Sequence, residues 1–161
     1  MATYESNRTK KWPNYVIGII VCLLLGMLSG YFSGSGPNTW YQELQQPSFT
    51  PPSWLFGPVW TLLYIMIGVT AGYLWSQRNQ ASLLFKLFVI QFILNLIWSP
   101  IFFGFHQISL AAATISLLWI CLIILLVRAA PSHRCVTYLL LPYTAWVSFA
   151  MVLNITLALL N

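Results

Sequence analysis

The residues able to do chemistry are amides, indoles and phenols, set at helical spacing in strongly apolar surroundings. Gln91, Asn95 and Trp98 fall at i, i+4 and i+7, which places them on one helix face. Trp60, Tyr64, Ile67 and Ala71 form a second such stripe, and Tyr143, Trp146, Ala150 and Asn154 form a third. These groups can stack on a flat ring and exchange hydrogen bonds with it, each well-oriented aromatic pair adding about 0.5–1.5 kcal/mol beyond burial. They are poor tools for acid–base work. The chain contains no Asp, and its Glu residues are Glu5 and Glu43, so a carboxylate pair and a Ser-His-Asp triad are both excluded. His106 and His133 stand apart, without a Cys or carboxylate cluster, and no metal site is expected. Cys22, Cys121 and Cys135 form no CxxC and read as small apolar packing residues.

The elements that carry these stripes are membrane spans. Of 161 residues, 59% are apolar and 6% are charged, and the mean hydropathy is +0.78. A soluble domain carries about 25% charged residues, so this surface is solvated by lipid. A crossing helix needs about 20 apolar residues, and five such runs occur, at 13–32, 54–76, 82–103, 108–127 and 136–160. Residues 87–127 include no Lys, Arg, Asp or Glu. That run is too long for one crossing and must fold as two helices meeting at the Gly104–Gln107 turn, where Gly104 suits a helix end. The expected fold is an all-α membrane protein, a bundle of five transmembrane helices with a short helix in the first extramembrane loop. Residues 1–12 form a tail and 13–161 a single domain. The first run has basic residues ahead of it like a signal peptide, but its 18-residue apolar stretch Tyr15–Phe32 is longer than a usual signal core and argues for retention. Gly26/Gly30 and Gly68/Gly72 have the GxxxG spacing that suits close helix packing.

All seven cations (Arg8, Lys10, Lys11, Arg78, Lys86, Arg128 and Arg134) fall on one side of this topology. They read as topology signals rather than as a nucleic-acid footprint. The positive-inside rule makes that side cytoplasmic; in a bacterial inner membrane the N-terminus is then inside. The opposite side carries the stretch Trp40–Tyr64, with seven aromatic residues and Pro47, Pro51, Pro52 and Pro58. It can begin with a short helix, and it runs through a proline-rich connection directly into the second span. Proline fixes the backbone and cannot continue a helix interior, so the stretch is expected to form a stiff cap without regular hydrogen bonding in the connection. An amide in lipid must find a partner. For Gln91 and Asn95, interhelical bonding and ligand contact are equally open; for Asn154, interhelical bonding is the favoured reading.

Four stretches, WYQELQQPSFTPP at Trp40–Pro52, FGPVWTLLY at Phe56–Tyr64, NLIWSPIFF at Asn95–Phe103 and LLLPYTAWVSFAMVLN at Leu139–Asn154, resemble the TspO/MBR family of tryptophan-rich sensory proteins, whose mitochondrial member is the translocator protein or peripheral benzodiazepine receptor. The resemblance implies a five-helix bundle, usually a homodimer, that binds tetrapyrroles such as protoporphyrin IX and isoquinoline or benzodiazepine drugs, with porphyrin as ligand rather than required cofactor. Some bacterial members promote light-dependent porphyrin breakdown through pocket tryptophans, which here would be Trp60 and Trp146. Carried over by position, the pocket is Tyr41, Trp60, Gln91, Asn95, Trp146 and Ala150, to which the helical stripes add Tyr64, Trp98 and Tyr143. The C-terminal LNITLALLN lacks the Tyr and basic residue of the mitochondrial cholesterol motif, so no specific cholesterol site is expected. A porphyrin or sterol transporter, or an assembly protein without a pocket, are the alternatives. A transporter would normally show internal repeats and mid-membrane ionisable groups, which are not found.

Overall fold

A computed structural model describes residues 12–34 and 39–161, and the tail bearing Glu5, Arg8, Lys10 and Lys11 lies outside them. Among the described residues five helices are long and apolar enough to cross a membrane, which makes the protein an integral, multi-pass membrane protein. They are α1 (Trp12–Phe32), α3 (Phe56–Ser76), α4 (Ser82–Ser99), α5 (Ile108–Ala129) and α6 (Arg134–Leu160). The short helix α2 (Thr39–Glu43) occupies the first loop, as expected. A single 3-10 turn, Ser53–Leu55, leads into α3, so the second span begins at Ser53.

The helices form a ring in the order α1, α3, α6, α5, α4, with α4 closing back onto α1. Lipid tails are as apolar as leucine, so burial of apolar area does not hold such helices together; close packing and interhelical hydrogen bonds do. The α1–α3 pair packs backbone to backbone. A Cβ on Gly18 would strike the Gly68 carbonyl, one on Gly68 would strike Ile19, and one on Gly72 would strike Asn14. Of the two glycine pairs, Gly68/Gly72 is the one that zips the helices. Gly26 receives the Tyr64 ring, whereas nothing lies within 4 Å of a Cβ on Gly30.

Polar bonds tie the other seams. The Ser29 hydroxyl donates to the Leu96 carbonyl (2.6 Å) and Ser33 Oγ lies 2.8 Å from Ser99 Oγ, joining α1 to α4. Trp119 Nε1 donates to Ser148 Oγ (2.8 Å) between α5 and α6. Asn154 bridges three helices, accepting from Trp98 Nε1 at 3.0 Å and donating to the Ile108 carbonyl at 3.4 Å. Bonds of this kind contribute ~0.6 kcal/mol each.

Two departures from the sequence reading occur at the α4–α5 turn. Pro100 has no N–H and its ring breaks the α ladder, so Pro100–Gly104 widens into one π turn in which the Phe105 N–H donates to the Pro100 carbonyl at 2.8 Å. The residue in the left-handed region is His106 (φ 57°), not Gly104. Gly104 instead allows close approach, since a Cβ there would sit 2.9 Å from the Phe32 carbonyl oxygen. The wide turn has a packing consequence: the adjacent rings Phe102 and Phe103 are both buried.

The charged end and the capped end are distinct. Arg78, Lys86, Arg128 and Arg134 all cluster at the end where α1 begins and α3 and α5 finish. Tyr73 Oη and His133 Nδ1, 3.2 Å apart, tie α3 to the start of α6 there. At the other end, the proline-rich cap folds over the bundle.

Candidate functional site

The cap is held by local bonds and aromatic contacts. The Thr50 N–H and hydroxyl both donate to the Pro47 carbonyl, at 3.0 and 2.8 Å, which closes a tight turn between prolines. Gln46 Nε2 donates to the Tyr41 carbonyl at 2.7 Å. The Asn161 side chain clamps the Gln45 backbone, its Oδ1 accepting from the N–H (2.9 Å) and its Nδ2 donating to the carbonyl (3.2 Å). Tyr41, 3% exposed, packs its ring edge-on to Phe102 and Phe103, and Phe49 meets Phe149. Burial raises the Tyr41 phenol above its ordinary pKa of 10.0 and keeps it neutral. Trp40 packs on Phe102 and stacks on the His106 imidazole, centroids 4.1 Å apart.

Beneath this roof, among α1, the start of α3 and the end of α4, lies a cleft of about 720 Å³. That volume is within the range typical of small-molecule sites, about 300–1,000 Å³. Its α3 wall is Phe56, Gly57, Trp60 and Tyr64, and Ser53 and Trp54 stand at its rim. From α4 come Asn95, Trp98 and Ser99, with Phe103 from the π turn; α1 supplies Met27, Gly30 and Tyr31. Trp60 and Tyr64 present tilted rings 5.7 Å apart. The Tyr64 hydroxyl donates to Asn95 Oδ1 at 2.8 Å, which fixes the amide at the back of the cleft. Among the described residues no Lys, Arg, Asp or Glu lines it, so the field they set up there is made of dipoles.

Of the nine residues singled out from sequence, the structure brings Trp60, Tyr64, Asn95 and Trp98 to the cleft wall. Trp98 is pinned by its bond to Asn154. Gln91 and Tyr143 lie fully buried behind the wall, with the Tyr143 hydroxyl donating to Gln91 Oε1 at 3.0 Å and its ring against Trp60. Trp146 sits behind Phe56, centroids 6.0 Å apart, and Ala150 is buried further along α6. Tyr41 belongs to the roof.

Gln91 Nε2 and Trp146 Nε1 are buried donors with no hydrogen-bond partner among the described residues. Such groups are rare in a folded protein and call for an acceptor. Among the described residues there is also no group of three His, Cys, Asp or Glu that could hold a metal ion.

Sequence reasoning passed over Gly30, Gly57, Trp54, Phe56 and Tyr31 as wall residues. Trp54, Phe56 and Gly57 lie in the aromatic stretch that drew attention, so their involvement was within reach. Gly30 carried the signal of close packing, whereas open space lies beside it. Tyr31 carried no usable signal, because α1 is apolar on almost every side.

A family model described as TspO/MBR matches residues 18–160. Tryptophan-rich protein TspO of Chlorobaculum tepidum is 39% identical over 145 residues, covering 88% of this chain and 91% of its own length. The Archaeoglobus fulgidus protein of the same name is 37% identical over 147 residues, covering 91% of this chain and 95% of its own. The human Translocator protein is 34% identical over 153 residues, covering 86% of this chain and 85% of its own. A match that enters within α1 and runs through to the end of α6 leaves one conclusion: this chain belongs to the TspO/MBR family of membrane proteins.

Proposed function

We propose that this protein is a membrane receptor for flat, hydrophobic aromatic molecules, with tetrapyrroles such as protoporphyrin IX as the leading class and isoquinoline or benzodiazepine drugs as further ligands. The observation that carries the reading is the uncharged, indole-walled cleft with an oriented amide at its back, Asn95 held by Tyr64. Rings from Trp54, Trp60 and Trp98 supply stacking surface, and the Asn95 amide, held by Tyr64, sets a hydrogen-bonding dipole at the back of the cleft. The unpartnered donors of Gln91 and Trp146, one ring behind the wall, supply further points of attachment once a ligand displaces Phe56 or Trp60.

Family membership supports the same reading. It also supports a homodimer and light-dependent porphyrin breakdown, in which the bound porphyrin is the photosensitiser and Trp60 or Trp146 the electron partner. The cation-rich end faces the cytoplasm, and in a bacterium the membrane is the inner one, which leaves the cap outside.

The test is a titration of purified protein with protoporphyrin IX, first in the dark and then under light. Tryptophan quenching saturating near one ligand per chain, and weakened by Trp146→Ala, is the expected result. Linear, unsaturable quenching would refute the receptor. Photobleaching unchanged in the Trp60→Phe/Trp146→Phe double variant would remove the photochemical part alone.

A further inference from the structure

We propose that the cleft fills sideways, from the hydrocarbon of the leaflet on the capped side, through the gap between α1 and the start of α3. Its ligands are therefore amphiphiles already dissolved in the bilayer. The proposal rests on the receptor reading above and adds the route, together with the ligand class that the route admits.

The rim of the cleft faces outward from the bundle. Met27 is 70% exposed, Tyr31 76% and Trp54 71%, and all three line the cleft. Gly30 and Gly57 line it too, and a Cβ on either would meet open space. On a chain with five membrane-crossing helices, exposure of Met27, well inside α1, is exposure to acyl chains. Tyr31 and Trp54 stand at the ends of their spans, at the headgroup boundary. The gap is a wedge. Its apex is the Gly26–Tyr64 contact, below which Gly18, Gly68 and Gly72 hold the two helices together, and it is open at Gly30 and Gly57, where a Cβ meets nothing within 4 Å.

Among the described residues, the capped end offers no matching entrance. Tyr41 is buried on Phe102 and Phe103, Phe49 covers Phe149, and Asn161 holds Gln45 in place. A solute coming from water must lift this roof, whereas a solute in the leaflet meets only side chains. The chemistry of the wedge fits an amphiphile. Its floor is aromatic, with one amide, while the Ser53 hydroxyl stands at the start of a span, at headgroup depth, where a polar end can remain hydrated.

The experiment uses the full chain in phosphatidylcholine vesicles and follows tryptophan quenching by stopped flow. One probe is protoporphyrin IX dissolved in the vesicles; the other is a tetrasulfonated porphyrin that stays in water. The association rate is expected to follow porphyrin per lipid, so that protoporphyrin IX and its more lipophilic dimethyl ester, compared at equal porphyrin per lipid, associate equally fast although their aqueous concentrations differ. The sulfonated porphyrin should give no saturable quenching. Gly57→Trp, which places bulk in the gap, should slow association and release together by roughly tenfold. Gly30→Leu, a second obstruction on the other helix, should act in the same direction; far-UV circular dichroism checks that both variants remain folded.

A rate that follows aqueous porphyrin, saturable quenching by the sulfonated probe, or obstructed variants that release faster with association intact would each overturn the lateral route. Saturable binding of protoporphyrin IX in detergent micelles alongside any of these would leave the receptor standing. Absence of saturable binding in micelles would remove both.

Discussion

Along the α1–α3 pair, glycine serves opposite purposes at the two ends. Towards the charged end, Gly18, Gly68 and Gly72 bring backbones so close that no side chain fits between them. Towards the cap, Gly30 and Gly57 face empty space and their missing side chains leave the cleft open. A membrane bundle has little hydrophobic force with which to hold a cavity open or closed. The closed end therefore anchors the pair, and the open end can hold space without the helices separating.

Substitutions that exchange the two environments test this contrast most severely. Gly68→Val should destabilise the bundle by about 3 kcal/mol or more, because the new methyls meet the α1 backbone and not a movable side chain. Reconstituted protein titrated with sodium dodecyl sulfate would measure it; an unchanged midpoint would show that the close approach is not needed.

At the back of the cleft, Asn95→Leu removes the amide while keeping the size. Porphyrin binding should weaken by about 1–2 kcal/mol, roughly tenfold, in the dark titration. Retained affinity would reassign Asn95 to a purely interhelical role with Tyr64.

Gly30→Ala should move stability the other way. The site is helical and open, so the variant should gain about 0.5–1 kcal/mol from the lower backbone entropy of the unfolded chain. A loss of that size would mean that the opening at Gly30 is occupied by something that a methyl displaces. Trp98→Phe keeps a ring in the wall but deletes the bond to Asn154, and ~0.6 kcal/mol of stability should go with it.

The smallest effect is one of pH. Tyr41 has a raised pKa in the folded protein because burial disfavours the phenolate. Its contribution to cap docking is complete below the ordinary value of 10.0 and is lost as pH climbs through the raised folded value. Tryptophan emission should therefore be flat from neutral pH to about 10 and change above it, and Tyr41→Phe should abolish the change.

Much of the architecture was legible in the residues. The spans at 82–103 and 108–127 agree with helical units ending at Gly104 and Ala129, because an uncharged run of that length has nowhere to go but lipid. Asn154 joins helices, as a mid-span amide must. The turn at Gly104–Gln107 was placed correctly but its chemistry was not. Pro100 signalled a break without saying that the break would be a π turn, and histidine took the left-handed position expected of glycine.

The sequence by itself determined the solvent, the number of crossings, the side that carries the cations and the stock of indoles and amides, because these follow from composition and from the period of a helix. Only the tertiary structure decided that Gly68 closes a seam while Gly30 opens one, and that Trp60 and Asn95 face the cleft while Gln91 and Trp146 stand behind it. The reason is physical: a helix that is apolar all round has no preferred inward face. Its orientation is set by how closely distant backbones can approach, which no local pattern records.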